Sequence, residues 1–460
     1  MASRDPRCGA SCTRRLFLQA AATGTAVAVT APYFATARQQ DASEDSERIL
    51  ADAESRIRQH RMAPVTLKLL TPDGRPLGPG RRAEIRQVRH RFLFGCNIFM
   101  LGRCRTPEQN AAYESRFREL LNYATLPFYW WNYERQKGSP DDERTELVVR
   151  WCKAHGVTTK GHPLAWNYRD PPWLTGTPQE VAQAQFERIT RCVQRFRGNI
   201  DIWDVVNEAT HYDRAECKRD APCLTEAIAA MGVGRYIRTA FKTARDASPD
   251  ATLVINDYRT DAAFGEKVVS QLVAENGRPL YDVIGIQSHM HGGPWGAART
   301  WEVCERFAEF GKPLHFTETT LVSGPKSESG WMTTAEGEEQ QARLASEFYT
   351  VLFSHPAVEA ITWWDFSDQG AWQRAPAGFL RDDMSPKPVY ERLYDLIKGR
   401  WWTRVEAGSD ADGQVRLNGF LGEYEVAMRE NGRQLVGRFS LAKAAAEPTK
   451  VQLTERPADR

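Results

Sequence analysis

Between residues 91 and 400 the chain repeats one pattern eight times: a short apolar run, then a stretch with apolar residues at helical spacing. Strands are expected at residues 92–98, 123–129, 158–166, 200–207, 252–257, 283–289, 313–319 and 360–365. The run Ile200-Asp-Ile-Trp-Asp-Val-Val-Asn207 is typical of them. It is nearly continuous in large apolar side chains, as in a parallel strand covered by helices on both faces. The segments between are amphipathic. Thr177-Pro-Gln-Glu180 is a capping box with proline at the first helical position. Behind it Ala182, Phe186, Ile189, Val193 and Phe196 keep one face, and Gly198 follows the end. Eight β-then-α units predict an α/β fold closed on itself, a (β/α)8 TIM barrel, rather than an open sheet.

The unusual polar residues fall at the C-terminal ends of the expected strands. Gly161-His162 and Trp166-Asn167 end the third, Asn207-Glu208 the fourth and Asn256-Asp257 the fifth. Gln287 and His289 end the sixth, Thr317-Glu318 the seventh, and Trp363-Trp364-Asp365 the eighth. That is the rim on which such barrels carry their active sites. Glu208 and Glu318 come from non-neighbouring strands, as two carboxyl groups flanking a scissile glycosidic bond would. One must be protonated to release the leaving group, and the other ionised to attack the anomeric carbon. Asn207 suits a donor to the sugar 2-hydroxyl, and His289 suits an orienting partner for Glu318. Taken alone, each is equally an ordinary loop carboxylate or hydrogen-bonded core histidine; the convergence of all of them favours chemistry.

A net charge of +2 builds no basic face for nucleic acid. Fourteen Trp and fourteen Tyr exceed what one core needs, and flat aromatic faces suit sugar rings. A metal-hydrolase alternative uses His162, His289 and His291, but it leaves the two glutamates without a reason to be paired. No metal and no cofactor are expected. Residues 1–37 read as a twin-arginine-type export signal: Arg14-Arg15-Leu16-Phe17-Leu18 precedes an Ala-rich run, and Ala35-Thr36-Ala37 offers a cleavage site. The exported protein, periplasmic or extracellular, is expected to be a monomer with no membrane attachment after cleavage. Cys217 with Cys223, and Cys96 with Cys104, are candidate loop disulfides in such a compartment; Cys152, Cys192 and Cys304 read as buried thiols.

Flanking the barrel (residues 91–400), residues 38–90 read as a helix and two strands around a turn, a structural lead-in. Residues 401–460 read as a small β-rich appendage whose strands are broken at Asn418-Gly419 and Asn431-Gly432. A structural role is the simpler assignment for it, carbohydrate binding the alternative.

Gly161-His162-Pro-Leu-Ala-Trp166, Pro172-Trp173-Leu174, Trp203-Asp-Val-Val-Asn207-Glu208-Ala209, Ile255-Asn256-Asp257-Tyr258, Gly285-Ile-Gln287-Ser-His289-Met290, Thr317-Glu318 and Pro386-Lys387-Pro388-Val389-Tyr390 follow one another in order. Together they resemble glycoside hydrolase family 10, the endo-β-1,4-xylanases, from about residue 92 to residue 396. The resemblance implies a cofactor-free retaining enzyme acting on a polysaccharide or oligosaccharide, with Glu208 as acid/base and Glu318 as nucleophile. It implies His162, Trp166, Asn207, Gln287, His289, Trp364 and Trp372 around the sugar. Two departures stand out. Where the family carries Glu-Asn-x-x-Lys-Trp at the end of the second strand, this chain reads Thr125-Leu126-Pro127-Phe128-Tyr129-Trp130, with Glu134 following as the family's later Glu does, and Asn167 stands where a second histidine is usual. The reaction type is therefore better specified than the substrate. The alternatives are a barrel of the same descent acting on another glycoside or a short oligosaccharide, and a non-catalytic carbohydrate-binding or inhibitor barrel.

Overall fold

The structure is a computed structural model that describes residues 43–430 and 432–456. The export-signal reading falls on residues 1–37 and so lies outside the described residues. Strands β1 (Met62–Leu70) and β2 (Arg82–His90) come first. The barrel strands then follow: β3 (Leu93–Asn97), β4 (Tyr123–Pro127), β5 (Thr158–His162), β6 (Ile202–Asn207), β7 (Thr252–Asp257), β8 (Val283–His289) and β9 (Leu314–Thr320). A small hairpin, β10 (Lys326–Ser327) with β11 (Gly330–Trp331), precedes the last stave, β12 (Val358–Trp363). These eight staves close in the order β12-β3-β4-β5-β6-β7-β8-β9, so all eight expected strands are present in one parallel barrel.

Sequence accounts for the closure locally. Trp203 on β6 is fully buried, and a side chain on Gly161 of β5 would run into its ring, so only glycine lets the two strands approach. Helix Pro178–Arg195 starts where its capping box places it: Glu180 N–H donates to Thr177 Oγ1 at 3.3 Å, and Thr177 N–H to the Glu180 carboxylate at 2.7 Å. Its Ile189 and Val193 are buried in the barrel core, and Val181 and Ala182 pack with Leu174 and Leu224 in a smaller cluster. Among the described residues, no helix is long and apolar enough to cross a membrane.

The ends of the chain differ from the sequence expectation. β1 and β2 do not pair with each other as strands around a turn. Instead β13 (Arg404–Gly408), β14 (Gln414–Phe420), β15 (Gly422–Glu430), β16 (Arg433–Leu441), β17 (Thr449–Gln452) and β18 (Thr454–Glu455) recruit them into two separate sheets. One sheet is β14-β1-β17 and the other β13-β2-β15-β16-β18. Between them Val65, Leu67, Leu69, Ile85, Val426, Leu435, Phe439 and Val451 form a core of their own. Asn418-Gly419 is not a turn: β14 runs straight through it, with Asn418 opposite Pro64 and Gly419 opposite Ala63. The glycine is needed there because the Tyr424 hydroxyl occupies the space of a side chain. At the other Asn-Gly, Glu430 pairs with Arg433 across the turn and Gly432 has φ +78°; Asn431 itself lies outside the described residues.

Neither of the two candidate loop disulfides is formed. All seven cysteines from Cys96 to Cys304 are free. Cys217 is turned inward on helix Ala215–Asp220, while Cys223 at the start of the next helix points its thiol at the Leu174 carbonyl, 3.5 Å away. Cys96 is fully buried, near Tyr113 and Tyr349 of the surrounding helices, and Cys104 faces the Met100 carbonyl.

Candidate active site

A cleft of about 730 Å³ opens at the C-terminal mouth of the barrel, and both Glu208 and Glu318 line it. The ladder register explains how they are held. Asn207 lies opposite Asn256 across β6 and β7, and Gln287 lies opposite Glu318 across β8 and β9. The register shifts once between Asp204 and Val206 and once between Ile286 and Gln287. Such bulges re-aim the side chains that follow.

The resulting amides bridge the two acids. Gln287 Nε2 donates to Glu208 Oε1 at 3.1 Å and to Asn207 Oδ1 at 3.2 Å. Asn256 Nδ2 donates to Asn207 Oδ1 at 2.7 Å and to Glu318 Oε1 at 2.9 Å, and Thr317 Oγ1 holds Asn256 from behind at 2.6 Å. Asn207 therefore spends its oxygen on the bridge, and its Nδ2 has no partner within the protein. Glu208 stands in the left-handed region, at φ 58° and ψ 39°. A non-glycine residue there costs about 1–3 kcal/mol and persists only where its surroundings enforce it. Here its N–H donates to the Asn256 carbonyl at 2.8 Å.

The two carboxyls sit in opposed electrostatic settings. Burial pushes Glu208 upward, reinforced by the charges of Glu318 and Asp257; Arg214 and Gln287 oppose this without cancelling it. Burial also pushes Glu318 upward, but His162, His289 and Lys160 outweigh it and leave the group below the ordinary carboxylate value. His289 Nε2 lies 3.1 Å from Glu318 Oε2, and its Nδ1 meets Thr320 Oγ1 at 2.8 Å. His162 Nε2 lies 3.8 Å from Glu318 Oε1. Beneath it Asp204 accepts from His162 Nδ1 at 2.7 Å and pairs with Lys160 at 2.7 Å, all three fully buried. Opposite drifts of two neighbouring acids are the condition for one to act as an acid and the other as an anion.

The sequence-predicted residues gather here, at different depths. Trp166, Gln287, His289, Trp364 and Trp372 line the cleft with the two glutamates; Asn207 and His162 are buried deeper, directly against Gln287 and Glu318. Trp166 Nε1 donates to Glu208 Oε2 at 3.1 Å. Trp372 is half-exposed, its ring centroid 4.6 Å from that of His289. Asn167 ties down the loop after β6, donating to the Tyr212 carbonyl at 2.6 Å and to Thr225 at 2.9 Å. Lys387 is also an anchor. Buried, it pairs with Asp368 at 2.7 Å and pins the loop that carries Trp364 and Trp372. His291 packs between Trp331 and Trp372, and burial pushes it down to about 4. Among the described residues no three His, Cys, Asp or Glu side chains are grouped to hold a metal.

Several lining residues are ones to which the sequence assigned no role at the sugar. Phe99, Tyr129, Trp131 and Tyr168 complete an aromatic wall with Trp166 and Trp364; the Trp166 and Tyr168 rings stack at 4.5 Å. Arg214, on the loop after Glu208, reaches its Oε2 at 2.5 Å. Asp365 is buried beside the cleft, accepts from Trp372 N–H at 3.1 Å, and is pushed up to about 7 by that burial.

A parallel barrel with two unlike, bridged carboxyls at its mouth has the form of a glycosidase. The profile of glycosyl hydrolase family 10 matches residues 106–396. The chain is 28% identical over 287 residues to endo-1,4-beta-xylanase B of Thermotoga neapolitana, covering 58% of this chain and 78% of that one. It is 29% identical over 280 residues to endo-1,4-beta-xylanase 3 of Hypocrea jecorina, covering 58% and 73%. Its fold is similar to that of xylanase 10B from Thermotoga petrophila, solved with xylobiose: TM-score 0.55, 23% identity, 67% of this chain and 95% of that one. The chain belongs to glycoside hydrolase family 10, and it is a glycosidase.

Proposed function

We propose that this glycosidase cleaves internal β-1,4 linkages of xylan or a related plant-type β-glycan with retention, by double displacement. Glu208 protonates the leaving oxygen and later activates water; Glu318, held ionised by His289 and His162, attacks the anomeric carbon. Asn207, through its free Nδ2, and Gln287 position the sugar 2-hydroxyl and the acid. The observation that carries this reading is the pair of carboxyls in one cleft, Glu208 and Glu318, bridged through Gln287, Asn207 and Asn256. They are set among unlike neighbours, Arg214 and Trp166 on one and His289 and His162 on the other. The names of the similar proteins point to the same polymer.

The test is the product profile on xylan beside mixed-linkage β-glucan, with the anomer of the first-formed product read by NMR. Internal cleavage of xylan giving the β-anomer first is expected; release of the α-anomer first would sink the double displacement. A second reading, a barrel specialised for another glycoside or a short oligosaccharide, draws on the aromatic wall at Tyr129 and Trp131 in place of the family's polar grip. Rapid cleavage of an aryl oligoglycoside with no action on either polymer would favour it.

Export by the twin-arginine route, as a monomer, belongs to the same proposal on sequence grounds. Replacing Arg14 and Arg15 with lysine should retain the protein in the cytoplasm, and unchanged export would exclude that route.

A further inference from the structure

Arg214 and Glu208 share one ion pair in the resting site. The guanidinium lies 2.5 Å from Glu208 Oε2, with only 20% of the Arg214 side chain exposed. Its other neighbours are the His211 carbonyl at 3.4 Å, the Tyr258 ring 5.8 Å from the guanidinium carbon, and the Cys217 thiol. Among the described residues, Glu208 is its one carboxylate partner. Yet an acid that protonates a leaving group must itself be neutral. In that state Arg214 is a largely buried cation whose counter-charge has gone, which is unfavourable unless another anion takes the place.

The same flank holds a second cation in want of an anion. Arg299, in the first turn of helix Ala297–Ala308, lines the cleft, lies 4.7 Å from the Trp295 ring centroid, and has no carboxylate partner among the described residues. The other acids of the cleft are engaged elsewhere: Glu318 with His289 and Asn256, and Asp365 with the Trp372 N–H. Around Glu208, Arg214 and Gln287 favour the anion, while Glu318 and Asp257 disfavour it. His211 contacts the Tyr258 hydroxyl at 2.7 Å and Arg259 at 2.9 Å, so it stabilises the flank without touching the acid.

We propose that Arg214, Tyr258 and Arg299 form a carboxylate subsite for a uronic-acid side group of the glycan, and that the substrate carboxylate draws Arg214 away from Glu208 and leaves the acid free to carry its proton. This deepens the hydrolase reading above and rests on it. The exchange is one of ion-pair partners: Arg214 passes from the Glu208 carboxylate to the uronate, and Glu208 takes a proton from water.

The test compares kcat/KM on glucuronoxylan with that on the same polymer after its uronic carboxyls have been reduced to alcohols. For the wild-type enzyme the reduction should lower kcat/KM about tenfold, the worth of one hydrogen-bonded charge contact. Arg214→Gln should bring the ratio of the two rates close to one. Arg299→Gln should lower it in part and, altering an exposed residue, keeps the test available even where the first variant folds poorly. On the reduced polymer, Arg214→Gln should also move the alkaline limb of the kcat/KM profile upward, because a cation that favours ionised Glu208 has been removed. Equal wild-type rates on both polymers, or an unchanged ratio in both variants, would overturn the subsite and leave the hydrolase reading standing. Inactivity on every β-1,4-xylan would remove both. Hydrolysis of a β-1,4-polyuronate in place of xylan would also overturn it, by moving the carboxylate into the main chain.

Discussion

The two flanks of the cleft are built from the same kind of loop and present opposite chemistry. The flank after β3, β4, β5 and β12 is neutral and aromatic: Phe99, Tyr129, Trp131, Trp166, Tyr168 and Trp364 touch ring to ring across four loops. The flank after β6, β7 and β8 carries two guanidinium groups, each beside an aromatic ring, Arg214 with Tyr258 and Arg299 with Trp295. One side offers apolar ring faces and the other positive charge. The two glutamates stand at the seam, each tuned by its own surroundings. Barrel staves fix where a side chain points, and the loops decide what it meets.

The largest effect lies at the seam. Glu318→Ala should lower kcat by roughly 10⁴-fold or more while the fold is retained, measured on xylan with the melting curve as control. Full activity in that variant would make the contrast between flanks irrelevant to catalysis.

Next, Glu208→Gln should slow substrates with poor leaving groups by about 10²–10⁴-fold and activated aryl glycosides far less, since only the former need the proton. The pH profile follows from the same pair. In the proposed double displacement, activity requires Glu318 ionised and Glu208 protonated. The acid limb should therefore lie below the ordinary glutamate range and the alkaline limb above it, with Glu208→Gln abolishing the alkaline limb. Equal losses on both substrate classes would contradict the acid role.

Third is the support beneath both flanks. Lys160→Met leaves Asp204 charged and buried with His162 as its remaining partner, and should cost about 3–5 kcal/mol in denaturant unfolding. A change below 1 kcal/mol, roughly the worth of a surface pair, would mean that the cluster is not the prop it looks to be.

The smallest effect separates the flanks themselves. Trp131→Ala should raise KM up to about tenfold with little change in kcat, and the increase should be insensitive to salt. Wild-type affinity for a uronate-bearing polymer should fall as salt rises. If Trp131→Ala changed that salt dependence, the two flanks would not act independently.

Much of this was legible in the sequence, because strands buried on both faces leave little freedom. Asn207, Glu208, Gln287, His289 and Glu318 each end an apolar run whose pairing is fixed by its neighbours, so their convergence could be read from order alone. Arg214 could not. It lies in His211-Tyr-Asp-Arg-Ala-Glu-Cys-Lys-Arg-Asp220, where one arginine among many charges carries no periodicity and only the path of the loop selects it. Trp131 and Tyr168 were hidden for the same reason. The candidate disulfides could not be decided from sequence because proximity in the chain says nothing of direction: Cys217 is buried in its helix, while the Cys223 thiol points to the Leu174 carbonyl. Asn418-Gly419 misled because the glycine makes room for Tyr424 instead of bending the chain.

The two-sheet module knots the beginning of the chain to its end. Met62 faces Phe420 and His90 faces Gly422, so during synthesis β1 and β2 wait, with one apolar side uncovered, until almost the whole polypeptide has emerged. The barrel between them can be complete before its clasp is fastened. Cutting the chain after the last stave would thus strip cover from segments made long before the cut, and removing either end alone would leave the other as an exposed, adhesive edge.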